Sequence, residues 1–137
     1  MQLGADYAFD PSKKELIDEI YSRTSGRGAD KVFEAVGIDV TIAAAIASVR
    51  KGGTVTLVGN LSASVTLPLQ SVVTRQVRLQ GSCAICGEYP AVLDMIARRE
   101  VNVDALLSAE APLSEGAEWF KKLYNKEPGL IKVVLIP

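Results

Sequence analysis

The side chains here that can do covalent or proton chemistry are few, and their spacing narrows the choice. Cys83 and Cys86 form a C-x-x-C pair, the spacing of a redox dithiol or of half a structural zinc site. A structural zinc takes four ligands, and no second pair exists to complete the set. The alternative is two small, partly buried side chains in a loop. Glu34 is one carboxylate inside the apolar run Lys31-Val32-Phe33-Glu34-Ala35-Val36-Gly37. Buried there, it must accept hydrogen bonds or suffer a large desolvation cost. It acts either as a general base or as a structural acceptor fixing nearby backbone and hydroxyl groups; with no acid partner in the run, the second role is favoured. Histidine is absent from all 137 residues. Imidazole bases, imidazole metal ligands and Ser/His or Cys/His nucleophile pairs are therefore ruled out.

Glycine carries a different kind of chemistry, that of a backbone open to approach. The runs ending at Gly37, Thr54-Val55-Thr56-Leu57-Val58-Gly59 and Val77-Arg78-Leu79-Gln80-Gly81 each read as a buried strand stopped by glycine. In open parallel sheets ligands sit beyond the carboxyl ends of the strands, and a Cβ there would obstruct a flat ring or a ribose. For any single one of these glycines, ordinary turn chemistry is the favoured explanation. No G-x-G-x-x-G and no P-loop pattern occurs; Gly26-Arg27-Gly28 follows a helix and lacks the third glycine. Nothing in the spacing therefore cradles a pyrophosphate.

The elements that must hold these residues follow from periodicity. Tyr7-Ala8-Phe9 is expected as a short strand and Asp10-Pro11-Ser12 as a turn. Ser12 with Glu15 matches a capping box; Leu16, Ile17, Ile20 and Tyr21 follow at helical spacing, and Ser25-Gly26-Arg27-Gly28 ends the helix. Asp39 is placed to cap a helix whose apolar side is Ile42, Ile46 and Val49, and Lys51-Gly52-Gly53 then turns the chain. Residues 61–69 read as a loop with extended pieces and 71–75 as a helical turn. Pro90 suits a first helical turn, with Val92, Leu93, Ile96 and Ala97 facing inward. Residues 108–113 read as an extended connector, and Ser114 is expected to cap a last helix with Ala117, Phe120, Leu123 and Tyr124 inward. Pro128-Gly129 turns the chain into a final strand, Ile131 to Ile136, rich in β-branched residues. Alternating strands and helices predict an α/β fold with a mostly parallel sheet and helices on both faces.

Composition agrees with one globular domain. Apolar residues make up 48% of the chain, and a chain of this length buries roughly two-thirds of its unfolded surface. Fifteen basic against sixteen acidic residues leave a net charge of −1, so no basic excess exists for nucleic acid. No apolar run approaches the roughly 18 residues of a membrane span. The start Met1-Gln2-Leu3-Gly4-Ala5-Asp6 has neither a charged lead nor an apolar signal core, so a cytoplasmic protein is expected.

Four segments, LGADYAFDPSKKELIDEIYSRTSGRGADKVFEAVG, VRKGGTVTLVGN, VRLQGSCA and GLIKVVLIP, resemble in order and spacing the medium-chain dehydrogenase/reductase family, in its zinc-dependent alcohol and polyol branch. GSCAICGEYPAVLDMIARREVNV and LYNKEPGLIKVVLIP are most similar to its sorbitol or L-iditol type members. The resemblance spans essentially the whole chain. It implies an incomplete, Rossmann-like dinucleotide-binding domain over residues 1–137, with 109–137 as a C-terminal extension. It also implies a parent enzyme moving hydride between a secondary alcohol or polyol and NAD or NADP. In that parent a catalytic zinc polarises the alcohol oxygen. The zinc ligands, the glycine-rich turn and the ribose-binding acid belong to parts of the family that this chain lacks, including an N-terminal catalytic domain. No zinc site and no catalytic residue is thus expected here, and the chain alone is not expected to be catalytically competent.

Residue by residue, the family pattern sets Val36 and Gly37 near the adenosine side and ribose, and Val58, Gly59 and Asn60 at the nicotinamide ribose and ring. Ser82 and Ala84 would offer backbone groups to the carboxamide, orienting the ring. Residues 61–69 resemble the family's subunit-contact segment, implying a homo-oligomer. The alternative is a non-catalytic nucleotide-binding or assembly module built on a half-Rossmann fold. With the first two strands of the 3-2-1-4-5-6 order missing, the strand at residues 31–37 is expected to keep a bare edge. Such an edge invites pairing with another chain or with Tyr7-Ala8-Phe9.

Overall fold

The computed structural model describes residues 3–10, 12 and 15–137; the expected turn residue Pro11 lies outside them. The chain divides into two compact units, one formed by Phe9–Ala84 and the other mainly by Ile85–Pro137.

The first unit contains α1 (Leu16–Arg23), β1 (Ala29–Glu34), α2 (Asp39–Ser48), β2 (Val49–Leu57), α3 (Leu69–Thr74) and β3 (Arg78–Gly81). Its three strands form one sheet in the order β1-β2-β3, parallel throughout. The register brings Val32, Val55 and Leu79 side by side, then Glu34, Leu57 and Gly81 one step nearer the carboxyl rim. Because side chains alternate across a strand, one face carries the apolar set. Ala45, Val49, Val55 and Val77 form the buried cluster there, with Val32, Leu57, Val72 and Leu79 packed against it. Ile46, Val49 and Val55 are fully buried, each contributing roughly 1.5–3 kcal/mol of hydrophobic stabilisation. Phe33, on the opposite face, is 71% exposed.

Several sequence expectations are corrected here. Residues 7–9 form no strand; a strand exists only by pairing, and β1 pairs with β2 alone among the described residues. Ser12 does not cap α1: its N–H and hydroxyl both donate to Asp10 Oδ1, at 3.0 and 2.7 Å, closing a local turn instead. Asp39 is the first residue of α2, not its cap. The N-cap is Ile38, whose N–H donates to Thr41 Oγ1, while Asp39 Oδ1 accepts the Thr66 N–H at 2.5 Å. Val49 belongs to β2. Between Ala29 and Lys31 the partner strand advances from Val49 to Thr54, so the expected turn at Lys51-Gly52-Gly53 is a bulge inside β2.

The carboxyl end of α2 leaves carbonyls without helical partners, and Arg75 serves them. Its guanidinium donates to Ile46 O at 2.9 Å, to Val49 O and to the Tyr21 hydroxyl oxygen at 2.9 Å, while the Tyr21 hydroxyl donates to Ala47 O at 3.3 Å. Arg75→Ala removes a charged donor from three acceptors, and about 2–3 kcal/mol of stability is expected to go with it. Urea denaturation followed by circular dichroism measures the loss; an unchanged midpoint would remove this role.

The second unit contains α4 (Tyr89–Ala97), β4 (Leu107–Pro112), α5 (Gly116–Tyr124) and β5 (Lys132–Ile136), with short 3-10 turns at Asp104–Leu106 and Leu113–Glu115. Pro90 does occupy the first turn of α4. β4 and β5 pair parallel in a two-stranded sheet of their own, so the final strand does not extend the sheet of β1–β3. Ser114 lies in the 3-10 turn and Glu115 is the N-cap of α5. The inward faces expected for both helices hold only at Ile96 and Leu123, which are half-buried. Val92 and Leu93 are 47% and 55% exposed, and Phe120 and Tyr124 are 71% and 87% exposed. A helical apolar stripe reports that a helix has an apolar side, not that its unit supplies a layer to cover it. In α5 the buried residue is Gly116, against which the Leu135 side chain of β5 rests, while Trp119 and Leu123 are half-buried. No helix among the described residues is long and apolar enough to cross a membrane.

Candidate functional site

All seven residues singled out as cofactor-facing fall in the first unit. Five of them meet at the carboxyl rim, where the chain leaves β1 and β2. Gly37 is buried with φ +82°, a left-handed conformation that side chains resist. A Cβ at Gly37 would lie 2.5 Å from Asn60 N, and one at Gly59 would lie 2.2 Å from the backbone of Val36. These two glycines therefore make room first for each other's backbone. Leu61 N–H donates to Val36 O at 3.2 Å and Ser62 N–H to Gly37 O at 3.0 Å, zipping the two exits together. Val36 and Val58 present their side chains outward, 43% and 52% exposed, and Asn60 is exposed beside them. Gly81 differs: a Cβ there meets nothing within 4 Å.

Glu34 organises this rim. It is 3% exposed, and its Oε1 accepts the N–H groups of Val36 and Gly37 at 2.9 Å each, while Oε2 accepts Gly37 N–H again at 3.0 Å. Its main-chain carbonyl accepts the N–H groups of Val58 at 2.8 Å and Gly59 at 3.0 Å. Burial opposes its ionisation, but the bonds from Gly37 N–H, the Thr41 hydroxyl and Val36 N–H outweigh that and hold the carboxyl below its ordinary value of 4.5. Glu34 is thus the structural acceptor that the sequence favoured over a base. Neither its dual use nor the part of Thr41 was foreseen. The signal available was a lone carboxylate two and three residues ahead of N–H groups in a tight turn.

Ser82 joins the rim through β2, its N–H and hydroxyl both donating to Leu57 O at 3.1 Å. Its N–H is therefore committed within the sheet, leaving its carbonyl as the backbone group it can offer. Ala84 stands exposed at φ +46°, beyond the hydrogen-bonded part of the rim. Cys83 and Cys86 are free and exposed, not partly buried. Among the described residues no cluster of three or more Cys, Asp or Glu side chains forms a metal site, and the sequence holds no histidine. This donor set does not fit a zinc ion.

Parallel strands whose exits meet at one rim are the frame of an open α/β sheet, and the sequence carries a family signature. Residues 1–98 match the sequence pattern of the zinc-binding dehydrogenases. The chain belongs to that family. Within the zinc-binding dehydrogenases, the sorbitol dehydrogenase of Homo sapiens is 33% identical over 137 residues, covering 98% of this chain and 38% of that protein. Among solved structures, the 2R,3R-butanediol dehydrogenase of Bacillus subtilis superposes with a TM-score of 0.86 at 25% identity, over 98% of this chain and 38% of that one. A dehydrogenase of Sinorhizobium meliloti 1021 solved bound to NADP gives a TM-score of 0.82 at 25% identity, over 98% of this chain and 40% of its own. The chain therefore spans about two-fifths of the length of these relatives.

Proposed function

We propose that this chain is the cofactor-binding portion of a nicotinamide-dependent dehydrogenase acting on a secondary alcohol or polyol, and that alone it does not catalyse the reaction. The observation that carries this proposal is the shared rim. Glu34, Leu57 and Gly81 align across three parallel strands, and the exits of β1 and β2 interlock immediately beyond them. In this proposal the domain spans residues 1–137, with 109–137 as its extension. Bound there, a nicotinamide supplies the hydride acceptor or donor. Val36 and Gly37 border the adenosine ribose, Val58, Gly59 and Asn60 border the nicotinamide ribose and ring, and Ser82 and Ala84 turn backbone groups toward the carboxamide. The exposed valines offer apolar contact to a ring face, which orients it while excluding water on that side. Among the described residues neither a free base at the rim nor a zinc donor set is found, so in this proposal the proton and the alcohol oxygen fall to other residues of the whole enzyme. The two-fifths coverage of relatives named for sorbitol and butanediol supports both the alcohol substrate class and a catalytic domain on a further segment. A homo-oligomer is proposed on the likeness of residues 61–69 to the family's contact segment.

Titration calorimetry with NAD and NADP, beside sequencing of the reading frame upstream of Met1, tests the proposal. Expected are no micromolar binding of either dinucleotide, no sorbitol oxidation by the chain, and an upstream frame encoding a glycine-rich turn and zinc ligands. Micromolar dinucleotide binding would show that the phosphate cradle is present after all. A start codon and ribosome site directly before Met1 would favour a non-catalytic nucleotide-binding or assembly module.

A further inference from the structure

Four of the seven rim residues are direct hydrogen-bond partners of Glu34, which grips two separate loops with two different groups. Its carboxylate takes the N–H groups of Val36 and Gly37, and its main-chain carbonyl takes those of Val58 and Gly59. We propose that Glu34 is the positioning residue for cofactor binding, setting the spacing between the β1 and β2 exits against which a nicotinamide ribotide rests. This rests on the function proposed above.

The Glu34 backbone takes part in the fold, pairing with Leu57 in the β1–β2 ladder, but its side chain lies outside the apolar cluster of Ala45, Val49, Val55 and Val77. The side chain acts instead on Val36 and Gly37, and these in turn limit Gly59 and Asn60, because the two exits touch backbone to backbone. A small displacement at Gly37 is passed directly to Gly59, since no flexible side chain lies between them to absorb it.

Glu34→Gln keeps the side-chain length and one acceptor oxygen but puts an amide N–H2 at the other oxygen position, facing donors. The test follows amide shifts of the 15N-labelled chain during titration with nicotinamide mononucleotide, with hydrogen exchange recorded on the same samples. The wild type is expected to shift at Val58, Gly59, Asn60 and Ser82. In Glu34→Gln the dissociation constant is expected to rise about tenfold, the equivalent of one charge-assisted bond. Gly37 exchange should accelerate while Val55 and Leu79 keep native shifts and protection. Equal affinity in wild type and Glu34→Gln would overturn the positioning role and leave the cofactor assignment standing. Absence of shifts in the wild type would overturn the cofactor assignment and the positioning role together. If Glu34→Gln does not fold, Glu34→Asp decides. One carbon shorter, it keeps the charge but draws the carboxylate back from the Val36 and Gly37 N–H groups, which should weaken mononucleotide binding about threefold, and unchanged affinity would overturn the proposal.

Discussion

Gly59→Ala is expected to remove a large share of the protein's stability, a loss above about 4 kcal/mol against the 5–15 kcal/mol typical of a whole domain. The added methyl carbon would lie 2.2 Å from Val36 C and N and 2.4 Å from Gly37 N. All three are backbone atoms, and Glu34 holds both of the nitrogens. No rotamer change relieves such a contact; one strand exit must move away from the other. Gly81→Ala is the matched control. Nothing lies within 4 Å of its new Cβ, so its stability should stay within about 1 kcal/mol of wild type. Urea midpoints of the three proteins check both statements, and a Gly59→Ala midpoint equal to that of Gly81→Ala would refute the interlock.

The second large effect is expected at Glu34→Ala. The substitution strands the buried N–H of Gly37 and the part-buried N–H of Val36, at a cost of about 2–4 kcal/mol. The same carboxylate also gives a pH signature. Its folded value lies below the ordinary 4.5, so between the two the unfolded state binds the proton first. Its stabilisation is complete above 4.5 and drains away as pH falls through the folded value. The stability gap between wild type and Glu34→Ala should thus be widest near neutrality and narrow on acidification. Denaturation series at several pH values measure the gap; one that is constant down to acid conditions would mean that folding leaves the carboxylate's proton affinity unchanged, and one that widens would mean that the folded state holds it protonated.

The sequence made much of the first unit legible, for physical reasons. Val32, Val55 and Leu79 lie in short apolar runs bounded by turn residues, and such runs have few ways to be buried other than as adjacent parallel strands. Ile42 and Ile46 face the core because the period of α2 matches the sheet beneath it. What failed was everything that depends on a partner. Tyr7-Ala8-Phe9 has strand-like residues and no strand to pair with. Val92, Leu93, Phe120 and Tyr124 have helical spacing and remain exposed. Local pattern states a preference, and burial needs a second surface. At the rim, the glycines were visible while their reason was not: Gly37 and Gly59 are adjacent only after β1 and β2 have paired.

That adjacency bears on how the rim comes into being. The groups that hold Val36 and Gly37 from outside their own turn belong to residues 59–62, with the whole of α2 and β2 between. Closing so long a loop costs entropy before any contact repays it, so the rim is not assembled by local folding of either turn. It is acquired when β1 and β2 zip to their carboxyl ends, and it is surrendered when those ends fray. A ligand resting there would act as a clamp on the last rungs of the ladder, slowing their opening in proportion to its occupancy.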